Sequence, residues 1–175
     1  IALNIVLDEL INYLNEAIEA MKRARFIYIF GVGNSGIVAE DLADKLFRID
    51  IKAIHHVDGH MQLTSSVAID KEDVAIAISY RGSTKEVNAS IKQAKEKGAT
   101  TIGITQYDKN TLSKLVDIPL YVPSEEKDIR YGAISSRDAF FIITDLLYLG
   151  VAKVDFAKTK HNILESRMLM KETFK

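Results

Sequence analysis

The sequence predicts an α/β fold, with a parallel sheet covered by helices on both faces. Three observations predict it. Short apolar runs alternate with amphipathic segments along the chain. The runs are compact, as in strands buried on both sides. Two of them end in loops rich in glycine and hydroxyls that lead into segments with helical spacing.

Leu7, Leu10, Ile11, Leu14, Ile18 and Met21 recur at helical spacing, so residues 5–22 read as an amphipathic helix. RFIYIF (25–30) reads as a buried strand ending at Gly31. A helix follows from Gly36 to Arg48, then a strand in IKAIHHV (51–57) and a short helix over 59–67. DVAIAIS (73–79) is the third strand. Val87, Ile91 and Ala94 share one face of a helix over 84–97, which Gly98 stops. TTIGIT (100–105) and DIPLYV (117–122) complete five strands. Residues 134–150 are apolar enough for a largely buried helix, and 155–172 form a more polar, basic one.

Length and composition set limits. The 175 residues suit one domain, and 47% hydrophobic residues suffice for a core. With 23 basic against 24 acidic residues, the net charge of −1 leaves no electrostatic footprint for nucleic acid. The absence of cysteine excludes disulfides and thiolate metal sites and fits a cytoplasmic protein. No apolar stretch is long enough to span a bilayer, so no membrane partner is expected. Only Pro119 and Pro123 occur, and no Gly/Ser-rich linker divides the chain.

The loop AISYRGSTKE (77–86) hands a strand to a helix. A helix start presents unpaired amides and partial positive charge, so it holds anions. Gly82 allows close backbone approach, Ser79, Ser83 and Thr84 offer hydroxyls, and Arg81 offers a charge-assisted contact. The same residues admit a plainer reading, in which Ser83 and Glu86 form a capping box that merely starts the helix. The other loop, GVGNSG (31–36), fits the dinucleotide fingerprint G-x-G-x-x-G, with Asp58 at a suitable distance for a ribose hydroxyl. That reading leaves the second loop without a role, whereas a small phosphorylated ligand uses both.

IYIFGVGNSGIVAEDLADKLFRI, VDGHMQ, DVAIAISYRGSTKEV, AKEKGATTIGIT and ISSRDAFFIITDLLY together resemble the sugar isomerase (SIS) domain. The likeness is specifically to the effector domain of RpiR-type bacterial transcription regulators, and it runs from Phe26 to Gly150. It implies a flavodoxin-like three-layer α/β/α sandwich with a five-stranded parallel sheet. On this reading residues 1–175 are one SIS domain, with an N-terminal helix (1–24), an α/β core (25–150) and a C-terminal helix (151–175). It further implies a homodimer or higher homo-oligomer and a phosphosugar held between the two loops. The phosphate would lie on Ser79, Ser83 and Thr84 around Gly82. Gly33, Asn34 and Ser35 would meet the ligand from the first loop, His60 would reach sugar hydroxyls, here or in a neighbouring subunit, and Arg137 would approach from the far wall. The family's phosphate loop usually reads Ser-x-Ser-Gly-x-Thr. Arg81 replaces its second serine.

Aldose–ketose isomerisation needs a base to move a proton between adjacent carbons. Isomerases of this fold place a glutamate near the start of the late helix. Ser136, Arg137 and Asp138 stand there instead, and an arginine stays protonated. The residues therefore favour a phosphosugar sensor without turnover or cofactor, with DNA reached through a helix-turn-helix domain ahead of Ile1. A phosphosugar isomerase using Asp138 is the alternative, and a nucleotide-binding oxidoreductase domain a third.

Other clusters have plainer explanations. His55, His56, Asp58 and His60 read as a solvated strand end rather than a metal set. Lys153, Lys158, Lys160, His161, Arg167 and Lys171 read as a hydrated helix face. Phe140, Phe141, Ile142 and Leu146 belong to the core or a dimer interface. Glu125, Glu126, Lys127, Asp128 and Arg130 form a solvated loop that lies near the ligand at most. Tyr80 is either a platform for a sugar face or an ordinary loop tyrosine.

Overall fold

The computed structural model describes residues 2–123 and 134–174. The elements in chain order are α1 (Ala2–Arg23), β1 (Ile27–Phe30), α2 (Asn34–Arg48), β2 (Ala53–His55), α3 (Gly59–Ser66) and β3 (Val74–Ile78). They continue with α4 (Lys85–Glu96), β4 (Thr100–Gln106), α5 (Thr111–Leu115), β5 (Ile118–Val122), α6 (Ile134–Ala152) and α7 (Phe156–Thr173). The five strands are all parallel, in the order β2-β1-β3-β4-β5. The three-layer α/β/α fold is the one the sequence predicts.

The apolar runs are explained by what covers them. Ile27, Ile29, Ile76, Ile78, Ile102, Ile104 and Leu120 pack against Met21 of α1, Val38 and Leu42 of α2, and Phe140 and Leu147 of α6. The opposite face carries Tyr28, Phe30, Ala75 and Ala77 beneath Val87 and Ile91 of α4 and Leu112 of α5. Because β1 and β3 are covered on both sides, every one of their residues is buried. Edge strand β5 instead alternates buried and half-buried positions, and it accommodates Pro119.

Two segments differ from expectation. β2 pairs only with β1 and keeps three residues of the seven predicted, so His56, Asp58 and His60 are not strand residues. α5 was not predicted, since five residues show no helical period. It is held by an Asn110–Ser113 capping box and the buried Leu112. Glu125, Glu126, Lys127, Asp128 and Arg130 lie outside the described residues. α7 buries none of its own residues, and Lys158 reaches Asp50 at 2.7 Å. The other basic residues of this region, Lys153, Lys160, His161, Arg167 and Lys171, are exposed.

At the amino end of the sheet, charges are neutralised within the chain. Arg25 Nε and Nη2 donate to the two oxygens of buried Asp73 at 3.0 and 2.8 Å. The amides of Phe26 and Asp70 donate to the same carboxylate at 3.1 and 2.8 Å. Burial pushes the Asp73 carboxyl up, but the hydrogen bond from Arg25, the Asp70 amide and the arginine's charge together hold it below the ordinary range. Asp117 repeats the device, accepting from Thr101 N and Oγ1 at 2.9 and 2.7 Å and pairing with Lys95 at 2.9 Å. Its carboxyl is also held low, desolvation being outweighed by the Lys95 and Thr101 bonds.

Candidate functional site

The strand order reverses between β1 and β3, so the loops leaving these strands diverge and open a crevice at the carboxyl end of the sheet. A cavity of about 250 Å3 lies there. The loop after β1 and the start of α2 contribute Val32, Asn34 and Ser35. The loop after β3 contributes Ser79, Tyr80, Arg81, Ser83 and Thr84. α6 closes the far wall with Ser136, Arg137 and Phe140.

Each loop is fixed by residues behind it. Gly31 is indispensable because a Cβ there would lie 2.7 Å from the backbone oxygen of Ser35, in the first turn of α2. Fully buried Gln62 of α3 clamps this glycine. Its Oε1 accepts from Gly31 N at 3.1 Å, and its Nε2 donates to Gly31 O and His56 O, both at 2.7 Å. In the second loop Gly82 has a φ of 62°, and a Cβ would fall 1.9 Å from Asn110 Oδ1. The Gly82 carbonyl accepts from Leu112 N and from Asn88 Nδ2, both at 3.0 Å. Thr105 Oγ1 donates to Tyr80 O at 2.9 Å and accepts from Asn110 Nδ2 at 3.0 Å. The loop is thereby tied to α4, β4 and α5 before any ligand arrives.

The helix starts do not form the capping box that the plainer reading of the second loop requires. The N-cap of α4 is Thr84, not Ser83, and its side chain makes no capping bond. Thr84 Oγ1 lies instead 3.0 Å from Ser79 Oγ, bringing two hydroxyls together at the mouth of the helix. The N-cap of α2 is Gly33, at a φ of 61°, which has no side chain to cap with. α3, α5 and α7, by contrast, are closed by Asp58, Asn110 and Asp155. Asp58 Oδ1 accepts from Met61 N at 2.9 Å and so caps its own helix, a role that needs no ribose.

The cavity gathers Asn34, Ser35, Ser79, Tyr80, Arg81, Ser83, Thr84 and Arg137 from the predicted residues. Gly33 and Gly82 shape the loops that carry them. Tyr80 is buried, its ring packed edge-on against Phe140 at 6.3 Å, so it forms wall rather than an exposed platform. His60 does not line this cavity; it is exposed on α3. Asp138 is an exposed neighbour of Arg137, 4.0 Å from its Nε, and is not a lining residue either. No group of three or more His, Asp or Glu side chains is arranged to hold a metal among the described residues. Sequence reasoning missed Gln62, Asn110 and the lining roles of Ser136 and Phe140. The Asn110-x-x-Ser113 spacing was the available signal for the second of these.

The lining residues comprise five hydroxyl side chains besides the tyrosine, one amide and two guanidinium groups. None of the described lining residues is a carboxylate or an imidazole. With two helix starts directed to the crevice, the arrangement suits a small polyhydroxylated anion.

Comparison with known proteins gives the family and the fold. A family model described as SIS domain matches residues 20–150. An HTH-type transcriptional regulator of Caldanaerobacter subterraneus is 46% identical over 140 residues, covering 80% of this chain and 50% of the relative. The chain spans about half the length of the curated relatives it matches. The Vibrio vulnificus NanR protein, solved complexed with ManNAc-6P, superposes with a TM-score of 0.82 at 28% identity, covering 90% of this chain and 60% of that one. The sugar isomerase domain of an RpiR transcription factor from Sphaerobacter thermophilus has the same fold, with a TM-score of 0.78 at 20% identity over 90% of this chain and 86% of that one.

Proposed function

The chain belongs to the SIS-domain family, and from that premise we propose that it is the phosphosugar-binding effector domain of an RpiR-type transcription regulator. One observation carries the reading. The cavity joins two helix starts that no N-cap side chain closes to a ring of hydroxyls and two arginines, with no carboxylate or imidazole among the described lining residues. Such a site holds a phosphate and sugar hydroxyls. Among the described residues it offers no group of ordinary basicity to take a proton from carbon, which is what isomerisation requires. Asp138 points to no better base, being exposed and outside the lining.

The phosphate lies over the first turn of α4, on the amides of Lys85 and Glu86 and the hydroxyls of Ser79, Ser83 and Thr84. The sugar extends toward Asn34, Ser35 and Arg137. Regulation follows by population shift: ligand favours one arrangement of two subunits and of the DNA-binding domains attached to them. Ile142, Leu146 and Leu149 are exposed along one stripe of α6, which supports a homodimer contact through that face. A regulator acting on bacterial DNA works in the cytoplasm, and this supports a cytoplasmic location; no described helix is long and apolar enough to cross a membrane.

A thermal-shift panel of sugar phosphates, the matching free sugars and NAD tests this. A sugar phosphate at a hundred times its Kd adds about 2.7 kcal/mol of stability, roughly 5–10 °C in Tm for a chain of this size. Stabilisation by NAD and by no sugar phosphate would overturn the reading.

A further inference from the structure

We infer that the ligand of this site carries two anionic groups, a phosphate and a second one, a carboxylate or another phosphate. The inference rests on the phosphosugar reading above and deepens it. The phosphate is already provided for by uncharged donors, namely the start of α4 and the hydroxyls of Ser79, Ser83 and Thr84, two of them 3.0 Å apart. Two guanidinium groups line the same 250 Å3 cavity in addition, Arg81 from the phosphate loop and Arg137 from the facing helix α6.

Among the described residues, little balances their charge. Arg81 is exposed and makes no ion pair among the described residues. Among the described residues Arg137 has only the grazing 4.0 Å approach of its sequence neighbour Asp138, whose side chain is 64% exposed and outside the cavity. A guanidinium is permanently charged, and its fork matches a carboxylate or phosphate with two parallel bonds. Two arginines plus two helix starts, each equivalent to roughly half a positive charge, amount to about +3. A phosphate monoester near neutral pH supplies only about −1.5 to −2. A second anion on the sugar closes the difference; a sugar with a single phosphate leaves one arginine facing neutral hydroxyls. Arg25, itself half-exposed, by contrast meets the carboxylate of Asp73 through two nitrogens.

Calorimetric titration of the chain with four matched probes tests this at fixed ionic strength. They are glucose 6-phosphate, 6-phosphogluconate, fructose 1,6-bisphosphate and gluconate. At least one of the two doubly anionic probes should bind about tenfold or more tightly than glucose 6-phosphate. Which of them does so identifies the second group as carboxylate or phosphate. Arg81→Ser or Arg137→Gln, at least one of them, should bring that preference to within about twofold while glucose 6-phosphate still binds. Equal or tighter binding of glucose 6-phosphate by the unaltered chain overturns the inference and leaves the phosphosugar reading standing, as does a preference that survives both substitutions. Binding of gluconate alone, or of none of the phosphorylated probes, overturns the phosphosugar reading with it.

Discussion

The two ends of the sheet treat charge in opposite ways. At the amino end, Arg25 is matched to Asp73 and Lys95 to Asp117, and each carboxylate also takes hydrogen bonds from backbone amides. At the carboxyl end, Arg81 and Arg137 line a cavity with no carboxylate among its described lining residues. The helix starts divide in the same manner. Those of α3, α5 and α7 are closed by Asp58, Asn110 and Asp155, whereas α2 and α4, which open on the cavity, have no side-chain cap. Internal pairing marks the groups that hold the fold together. Donors at the cavity that meet no carboxylate among the described lining residues mark the groups that the proposed reading gives to a ligand.

The contrast breaks most visibly at the amino end. Asp73→Ala leaves two amides and a half-exposed arginine without their acceptor and is expected to lower unfolding free energy by about 2–3 kcal/mol in urea melts. Sugar-phosphate affinity of the folded fraction should stay unchanged. The same carboxylates set the acid limit. Because Asp73 and Asp117 are held below their unfolded values near 4, their contribution is complete above about pH 4 and is lost as pH falls through the lowered folded values. Stability measured from pH 5 to pH 2 should fall, and less steeply in Asp73→Ala.

At the carboxyl end the effect moves from stability to binding. Ser79→Ala together with Thr84→Val should weaken a sugar phosphate about 10–100-fold by calorimetry, the loss of hydrogen bonds to a charged group. Stability should change by less than about 1 kcal/mol, since the two hydroxyls partner each other and leave together. Asp58→Ala should cost about 1 kcal/mol as the loss of an ordinary cap and leave ligand affinity within about twofold. A nucleotide site using Asp58 would instead lose its ligand. Smallest is Lys95→Met, a half-exposed partner whose removal should change stability by less than about 1 kcal/mol.

Much of this was legible in the residues. Strands buried on both faces leave unbroken apolar runs, so IYIF and VAIAI announced β1 and β3. Both loops of the crevice were visible through Gly31, Gly33 and Gly82, because positive φ and close approach leave few other residues. Whether Ser83–Glu86 was a cap or a binding loop was not legible. That depends on whether Thr84 turns its hydroxyl to its own helix or to Ser79, and spacing does not encode the choice. Gln62 and Asn110 escaped notice because they act on loops 31 and 28 residues away, through contacts made only once the sheet has formed. β2 was overread because the apolar residues flanking an edge strand continue past the last pairing.

The central claim is that the crevice between the loops after β1 and β3 receives a phosphorylated sugar. Amide NMR of the labelled chain during titration with a sugar phosphate tests it most directly. The account predicts saturable shifts concentrated at residues 33–37 and 79–87, with the amides of α7 and of the amino end of the sheet unmoved. Shifts centred elsewhere, or none at millimolar ligand across the phosphorylated sugars tried, would contradict it.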